Sequence, residues 1–266
     1  MADMYGRELD GKRALVCGAS RGIGRAAAGE LAAQGAQVIL LARDTPALTR
    51  ARDALPAGGG QTHRALAADL SNLDLLATSV RDLVAETGTI HVLVNNSGGP
   101  SPGPITGADW SAFPAAFLQH VGAAHTVTGI LLPGMIEAGY GRIINVISTS
   151  VKQPLPGLGV SNTVRGAMAN WAKTLAAEVA AHGVTVNNVL PGATRTERLE
   201  SLIAARAEKE GTSAEEVERA MQAAIPARRF GRPQEIGRAI AFLASPGAGY
   251  VTGINLPVDG GRTACL

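Results

Sequence analysis

Apolar positions along the chain follow two alternating rhythms. Short aliphatic and β-branched runs at 13–17, 37–41, 62–67, 91–95, 142–147, 184–189 and 253–257 read as strands. The longer Ala- and Leu-rich stretches between them, near 23–34, 45–55, 73–87, 109–138, 162–182 and 233–244, carry a helical period. In the fifth of these, Met168, Trp171, Leu175 and Val179 recur every three to four residues and give one apolar face. Strand and helix in alternation predict an α/β fold, a doubly wound parallel sheet of about seven strands with helices on both faces. The links are mostly short and nothing repeats, so the whole of 1–266 is expected to form a single Rossmann-type domain.

One stretch breaks the rhythm. From Arg195 to Arg229 charge density rises and no strand run occurs. Thr212 and Ser213, each followed three residues on by Glu215 or Glu216, signal a helix start, and Gly211 just before them breaks the helix that precedes it. The segment at about 195–229 is thus a helical hairpin. It is either a solvated surface feature or, lying just past the carboxyl end of a strand, a mobile lid over a pocket.

The 266 residues include 33 glycines and 14 prolines, with 46% hydrophobic and 17% charged residues and a net charge of +2. That balance excludes a disordered or collagen-like chain. Basic residues are scattered among the acids, so nucleic acid and membrane surfaces are not expected partners. No apolar run approaches the roughly 20 residues that span a bilayer, and the first residues lack a charged-then-apolar signal pattern. Cys17 and Cys265 lie at opposite ends of the chain, which supports neither a disulfide framework nor a metal cluster and fits a reducing cytoplasm. Only three tyrosines occur, Tyr5, Tyr140 and Tyr250.

The run Cys17-Gly18-Ala19-Ser20-Arg21-Gly22-Ile23-Gly24 follows the first strand and opens the first helix. Glycines here let the backbone turn tightly and approach a pyrophosphate, while the helix N-terminus offers unpaired amides and positive potential. In this strand, loop and helix setting the pattern predicts a dinucleotide site. An NAD site usually carries Asp or Glu at the end of the second strand, where this chain has Leu41-Ala42-Arg43. Arg43 and Arg21 together predict a clamp on a 2′-phosphate, because guanidinium forks match phosphate oxygens. The expected cofactor is NADP(H).

Further motifs follow in order: Asp69-Leu70 after the third strand, Asn95-Asn96-Ser97-Gly98 after the fourth, Pro191-Gly192 with Thr194 and Thr196 after the sixth. Arg229-Phe230-Gly231-Arg232-Pro233 and Val258-Asp259-Gly260-Gly261 close the series. With the glycine loop they resemble the short-chain dehydrogenase/reductase family over about residues 10–262, nearest to members like 3-oxoacyl-acyl carrier protein reductase. The resemblance implies that Asp69 and Leu70 flank the adenine, and that Asn96, Ser97 and Gly98 line the cofactor cleft. It implies also that Pro191, Gly192, Thr194 and Thr196 hold the nicotinamide end, and that the protein is a homodimer or homotetramer.

The same resemblance exposes a departure. Active members usually carry Tyr-x-x-x-Lys on the helix after the fifth strand, a Ser shortly before it and an Asn on the preceding long helix. Tyr donates a proton to the carbonyl oxygen as hydride arrives, Lys lowers the phenol's pKa, and Ser hydrogen-bonds the same oxygen. Ser148 matches the serine. Thirteen residues on, Ser161 stands at the Tyr position and Arg165 at the Lys position, and the Asn position falls on His120. A serine hydroxyl is far less acidic than phenol, and Arg cannot relay a proton, though it can stabilise an oxyanion as a fixed charge. The proton donor is then a water in the space a phenol would fill, His120, or Lys152, four residues after Ser148.

Three readings follow. The first is an NADP(H)-dependent reductase or dehydrogenase of a small-molecule carbonyl or alcohol, with Ser148 and Arg165 stabilising the oxyanion. The second is a non-catalytic or regulatory dinucleotide-binding protein, and the third a lyase or isomerase reusing the pocket. The Gly-, Pro- and Leu-rich stretches 100–107 and 151–159, with the 195–229 segment, are expected to shape a modestly apolar substrate pocket.

Overall fold

The computed structural model describes residues 6–265. Its strands are β1 (Arg13–Cys17), β2 (Gln37–Ala42), β3 (Arg64–Ala67), β4 (Val92–Asn95), β5 (Gly141–Val146), β6 (Val184–Pro191) and β7 (Asn255–Val258). They form one parallel sheet in the order β3-β2-β1-β4-β5-β6-β7. The helices are α1 (Gly22–Ala33), α2 (Thr45–Asp53), α3 (Leu73–Thr87), α4 (Ala112–Phe117) and α5 (Ala123–Glu137). They continue with α6 (Gly159–Val179), α7 (Glu197–Glu210), α8 (Ala214–Ala223) and α9 (Pro233–Ala244). Strand order reverses between β1 and β4, and the crevice at the carboxyl ends of such a switch point is where ligands bind.

Side chains alternate across the sheet and sort the helices into two layers. Ala14 and Val16 of β1 face α1, α2 and α9, whereas Leu15 and Cys17 face α3, α5 and α6. The central strands β5 and β6 are buried along their length up to Pro191, as strands covered on both faces must be. Helices α1 and α9 approach closely, because a Cβ on Gly237 would lie 2.9 Å from Ala26 O.

The structure shifts several predicted ends. β3 starts at Arg64 because the His63 ring, not a backbone carbonyl, accepts from Val38 N at 3.1 Å. His91 Nδ1 takes Arg13 N in the same way, so β4 starts at Val92, and Thr252 Oγ1 takes Val186 N ahead of β7. The helix expected over 109–138 begins at Ala112 and is widened by a π-turn at Leu118–Gly122. That run also corrects the statement on apolar length. Ala112–Glu137 is 26 residues with a mean hydropathy of 1.2 in its most apolar stretch, enough by length and composition to cross a membrane. In the fold it lays Val127, Leu131 and Met135 against the sheet. The hairpin at 195–229 forms as expected: Gly211, φ +65, ends α7, and Ser213 Oγ caps α8 by accepting from Glu216 N at 3.2 Å.

Candidate active site

The glycine-rich loop joins β1 to α1 at the switch point. Gly18 has φ +59, and a Cβ there would lie 2.7 Å from both Asn96 Nδ2 and Asn96 O. A Cβ on Gly24 would overlap Gly18 O, so α1 packs directly on the turn. Asn96 Nδ2 donates to Cys17 O at 3.2 Å and Gly18 O at 3.3 Å, tying the loop after β4 to the glycine turn. Ile23 packs against the core and Ser20 is half-buried. No side chain caps α1 and no acid lies in its first turn, so its amides and positive end face the loop unclaimed. Cradle and helix end fit a pyrophosphate.

The two arginines of the expected clamp are exposed and each lies beside a carboxylate. Arg21 pairs with Glu197 at the start of α7, 2.9 Å away, and Arg43 lies 3.8 Å from Asp69. Asp69 Oδ1 accepts from Ser71 N and Ser71 Oγ, which holds its carboxyl below the usual value. On the opposite side, β6 runs to Pro191, and a Cβ on Gly192 would sit 2.7 Å from Asp259 Cα. Thr194 Oγ1 donates to Gly192 O at 3.0 Å, and Thr194 bridges to Gly231. Thr196 caps α7 through Leu199 N and would meet a Cβ on Gly22 at 3.4 Å. The motifs around residues 22, 192, 231 and 259 thus converge on one edge of the sheet. Gly98 has open space where a side chain would be. The loops at 100–107 and 151–159 are zipped together through Gly103, whose N–H donates to Gly157 O at 2.7 Å.

Beneath this crevice is a cavity of about 20 Å³, room for one water molecule. Leu70, Ser97, His120, Asn145, Arg165 and Met168 are among its lining residues. His120 sits in the π-turn, only 6% exposed, with Nδ1 2.5 Å from Ser97 Oγ and Nε2 buried without a partner. Burial first, then the charges of Arg165 and Arg198, push its pKa down to about 3, so the ring is neutral. Arg165, one turn after Ser161 on α6, is 8% exposed. Its Nη1 donates to Val146 O at 2.8 Å and its Nε is buried without a partner. Burial lowers its pKa to about 10, which leaves it charged at neutral pH.

Ser148 stands at the end of β5 with its Oγ accepting from Ser150 N at 3.1 Å. Ser148, Ser161 and Lys152 are half-buried and do not line the cavity. Lys152 is tied through its carbonyl, which accepts from Cys265 Sγ at 3.7 Å. No tyrosine reaches the site among the described residues. Tyr140 OH donates to Ala244 O at 2.6 Å with Arg142 and Lys12 over its ring, Tyr250 is fully exposed, and Tyr5 lies outside the described residues.

Two features escape the sequence reading. A chain of asparagine amides crosses four strands: Asn95 donates to Asn145, Asn145 to Asn188 and Asn188 to Asn255, at 2.9, 2.9 and 2.8 Å. Its members are register partners, and Asn95 and Asn145 wall the cavity. The other is Arg198 of α7, which donates to Gly99 O at 3.2 Å and Pro100 O at 3.0 Å.

The seven-stranded parallel sheet, its switch-point crevice and the glycine cradle are those of a short-chain dehydrogenase/reductase. A family model described as enoyl-(acyl carrier protein) reductase matches residues 18–263, and the chain belongs to this family. It is 34% identical over 255 residues to the 3-oxoacyl-[acyl-carrier-protein] reductase FabG of Vibrio cholerae, across 95% of this chain and 98% of that protein. Among solved structures, L-sorbose reductase from Gluconobacter frateurii, complexed with NADPH and L-sorbose, matches with a TM-score of 0.92 at 29% identity, covering 98% of this chain and 100% of that one. An NADPH-dependent reductase involved in bacilysin biosynthesis matches at 0.91 and 27% identity, with coverages of 96% and 99%.

Proposed function

We propose that the protein is an NADP(H)-dependent reductase or dehydrogenase of a small carbonyl or alcohol that works without a tyrosine. The observation that carries this reading is the cradle of Gly18 and Gly24 against the uncapped N-terminus of α1, shaped for a dinucleotide pyrophosphate. NADP(H) rather than NAD(H) follows from Arg43 at the end of β2 and from the NADPH that the L-sorbose reductase relative holds. In this reading 1–266 is one catalytic unit and 195–229 its lid.

When bound, the nicotinamide supplies or accepts the hydride. Arg165 is a permanent charge in surroundings of low dielectric, where it stabilises negative charge on a carbonyl oxygen. Ser148 Oγ accepts from Ser150 N and keeps its own proton to donate to that oxygen. His120 is neutral and so is no imidazolium donor at neutral pH. Fixed by Ser97, the ring lines the water-sized cavity, where it orients a water that relays a proton from solvent to the substrate oxygen.

Oxidation of NADPH against a panel of ketones and oxo acids tests this. Turnover is expected, and Arg165→Met should lower kcat by about 100-fold or more, the usual cost of removing an oxyanion donor. Tight NADPH binding without turnover, with activity appearing only in the Ser161→Tyr/Arg165→Lys double variant, would overturn the reading in favour of a binding protein. The proposal extends to a homodimer or homotetramer. Phe117, Leu118 and Ile136 leave apolar surface exposed along the α4–α5 run, the kind of face that pairs between copies. Light scattering that returns a monomer mass removes this part.

A further inference from the structure

Arg165 and Arg198 come from α6 and α7 and reach the same point. A Cβ built on Gly99 would lie 3.1 Å from Arg198 Nη2 and 3.7 Å from Arg165 Nη2. Two guanidinium groups so placed repel each other unless an anion sits with them. Yet among the described residues neither forms a salt bridge. The nearby acids are committed elsewhere. Glu197, next to Arg198 in the chain, turns to Arg21 at 2.9 Å, and Glu218 pairs with Arg195. Among the described residues, the carbonyls of Gly99 and Pro100 are the only hydrogen-bond partners of the Arg198 side chain and Val146 O the only one of the Arg165 side chain, whose Nε is buried without an acceptor. A guanidinium more than nine-tenths buried, with one neutral partner for its donors, is costly unless a ligand brings the counter-charge.

We propose that Arg165 and Arg198 form a carboxylate-binding pair at the mouth of the active site, so that the substrate is an oxo acid or hydroxy acid. This rests on the reductase reading and narrows its substrate class. The groups that would hold the dinucleotide phosphates are the uncapped N-terminus of α1 with Arg21 and Arg43, which pair with Glu197 and Asp69 here, and neither Arg165 nor Arg198 is among them. A carboxylate between two forks forms charge-assisted hydrogen bonds, sets the reacting carbon at a fixed offset and, through Arg198, draws α7 towards the loop at Gly99 and Pro100.

The test separates binding from turnover. The full chain saturated with NADPH is titrated calorimetrically with benzoate and with benzamide, which match in shape and differ in charge. Benzoate should bind about tenfold or more tightly than benzamide. Arg198→Met should remove that difference and Arg198→Lys keep part of it, while NADPH affinity of Arg198→Met stays within about twofold of the parent. Equal binding of the two probes, no binding of benzoate, or a preference that survives Arg198→Met overturns the proposal. So does a tenfold loss of NADPH affinity in Arg198→Met with the benzoate preference intact, which would assign the pair to a cofactor phosphate. Charge discrimination without turnover of any oxo acid keeps the anion site and removes the reductase reading. In turnover, oxo acids should be preferred to their methyl esters through KM, and the preference should vanish in Arg198→Met.

Discussion

His120 and Arg165 share one cavity with no carboxylate to pair them, and pH should report it. Burial and two nearby arginines hold His120 neutral down to about pH 3, whereas the unfolded chain takes up that proton near 6.5. Stability from this group is therefore complete above 6.5 and is lost as pH falls from 6.5 towards 3, by at most about 1.4 kcal/mol per pH unit. His91, lowered to about 4 chiefly by burial and accepting from Arg13 N, adds a second loss in the upper part of that window. Urea midpoints measured from neutral pH to about pH 4.5 should fall, and His120→Gln should flatten the fall without abolishing it. An unchanged slope in that variant would contradict a neutral, buried ring. His120, Ser148 and Arg165 are reached in the sequence through the family resemblance, which fixes their positions by count along the chain. Arg198 beside Gly99, and Ser97 on His120, are not, because each contact joins elements far apart in the chain.

At the scale of elements, the asparagine chain across β4, β5, β6 and β7 makes a specific energetic statement. Asn145 is fully buried and bonds on both sides, so Asn145→Ala leaves the Asn95 amide and the Asn188 carbonyl unpaired in the core. The expected loss is about 3 kcal/mol, read from the urea midpoint, larger than for an ordinary surface change. The glycine loop predicts a different outcome. Gly24→Ala pushes a methyl into Gly18 O, and calorimetry should show NADPH affinity falling by about tenfold or more while the sheet stays folded. Helix and strand periods are local, so the number, type and order of elements are readable from the chain. Register between parallel strands is not local, which hides the asparagine chain even though each asparagine is visible. Strand starts fail for a related reason: His63, His91 and Thr252 spend side-chain atoms on a neighbouring strand's N–H, a substitution that hydropathy does not encode.

At the scale of the whole molecule, α7 and α8 are held differently from everything else. Leu199, Ile203, Ala207, Val217, Ile225 and Phe230 form an apolar cluster of their own, separate from the layers that clamp the sheet. Their ties to the rest are polar: Glu197 to Arg21, Arg198 to the carbonyls of Gly99 and Pro100, and Arg195 N to Gly231 O. Exposed ion pairs of this kind contribute about 0–1 kcal/mol each, whereas β5 and β6, buried along their length, are expected to exchange their amides only when the whole sheet opens. Hydrogen exchange of the full chain should therefore show α7 and α8 opening well before the central strands. One of these ties ends on the glycine loop, where Glu197 holds Arg21, and the Thr196 methyl lies against Gly22 beside it. NADPH should then slow exchange in α7, beside the general slowing of β5 and β6 that binding to the folded sheet brings, and Glu197→Gln should speed α7 exchange in the free protein. A cofactor that binds without slowing α7 would separate the hairpin from the cleft and leave it a surface feature.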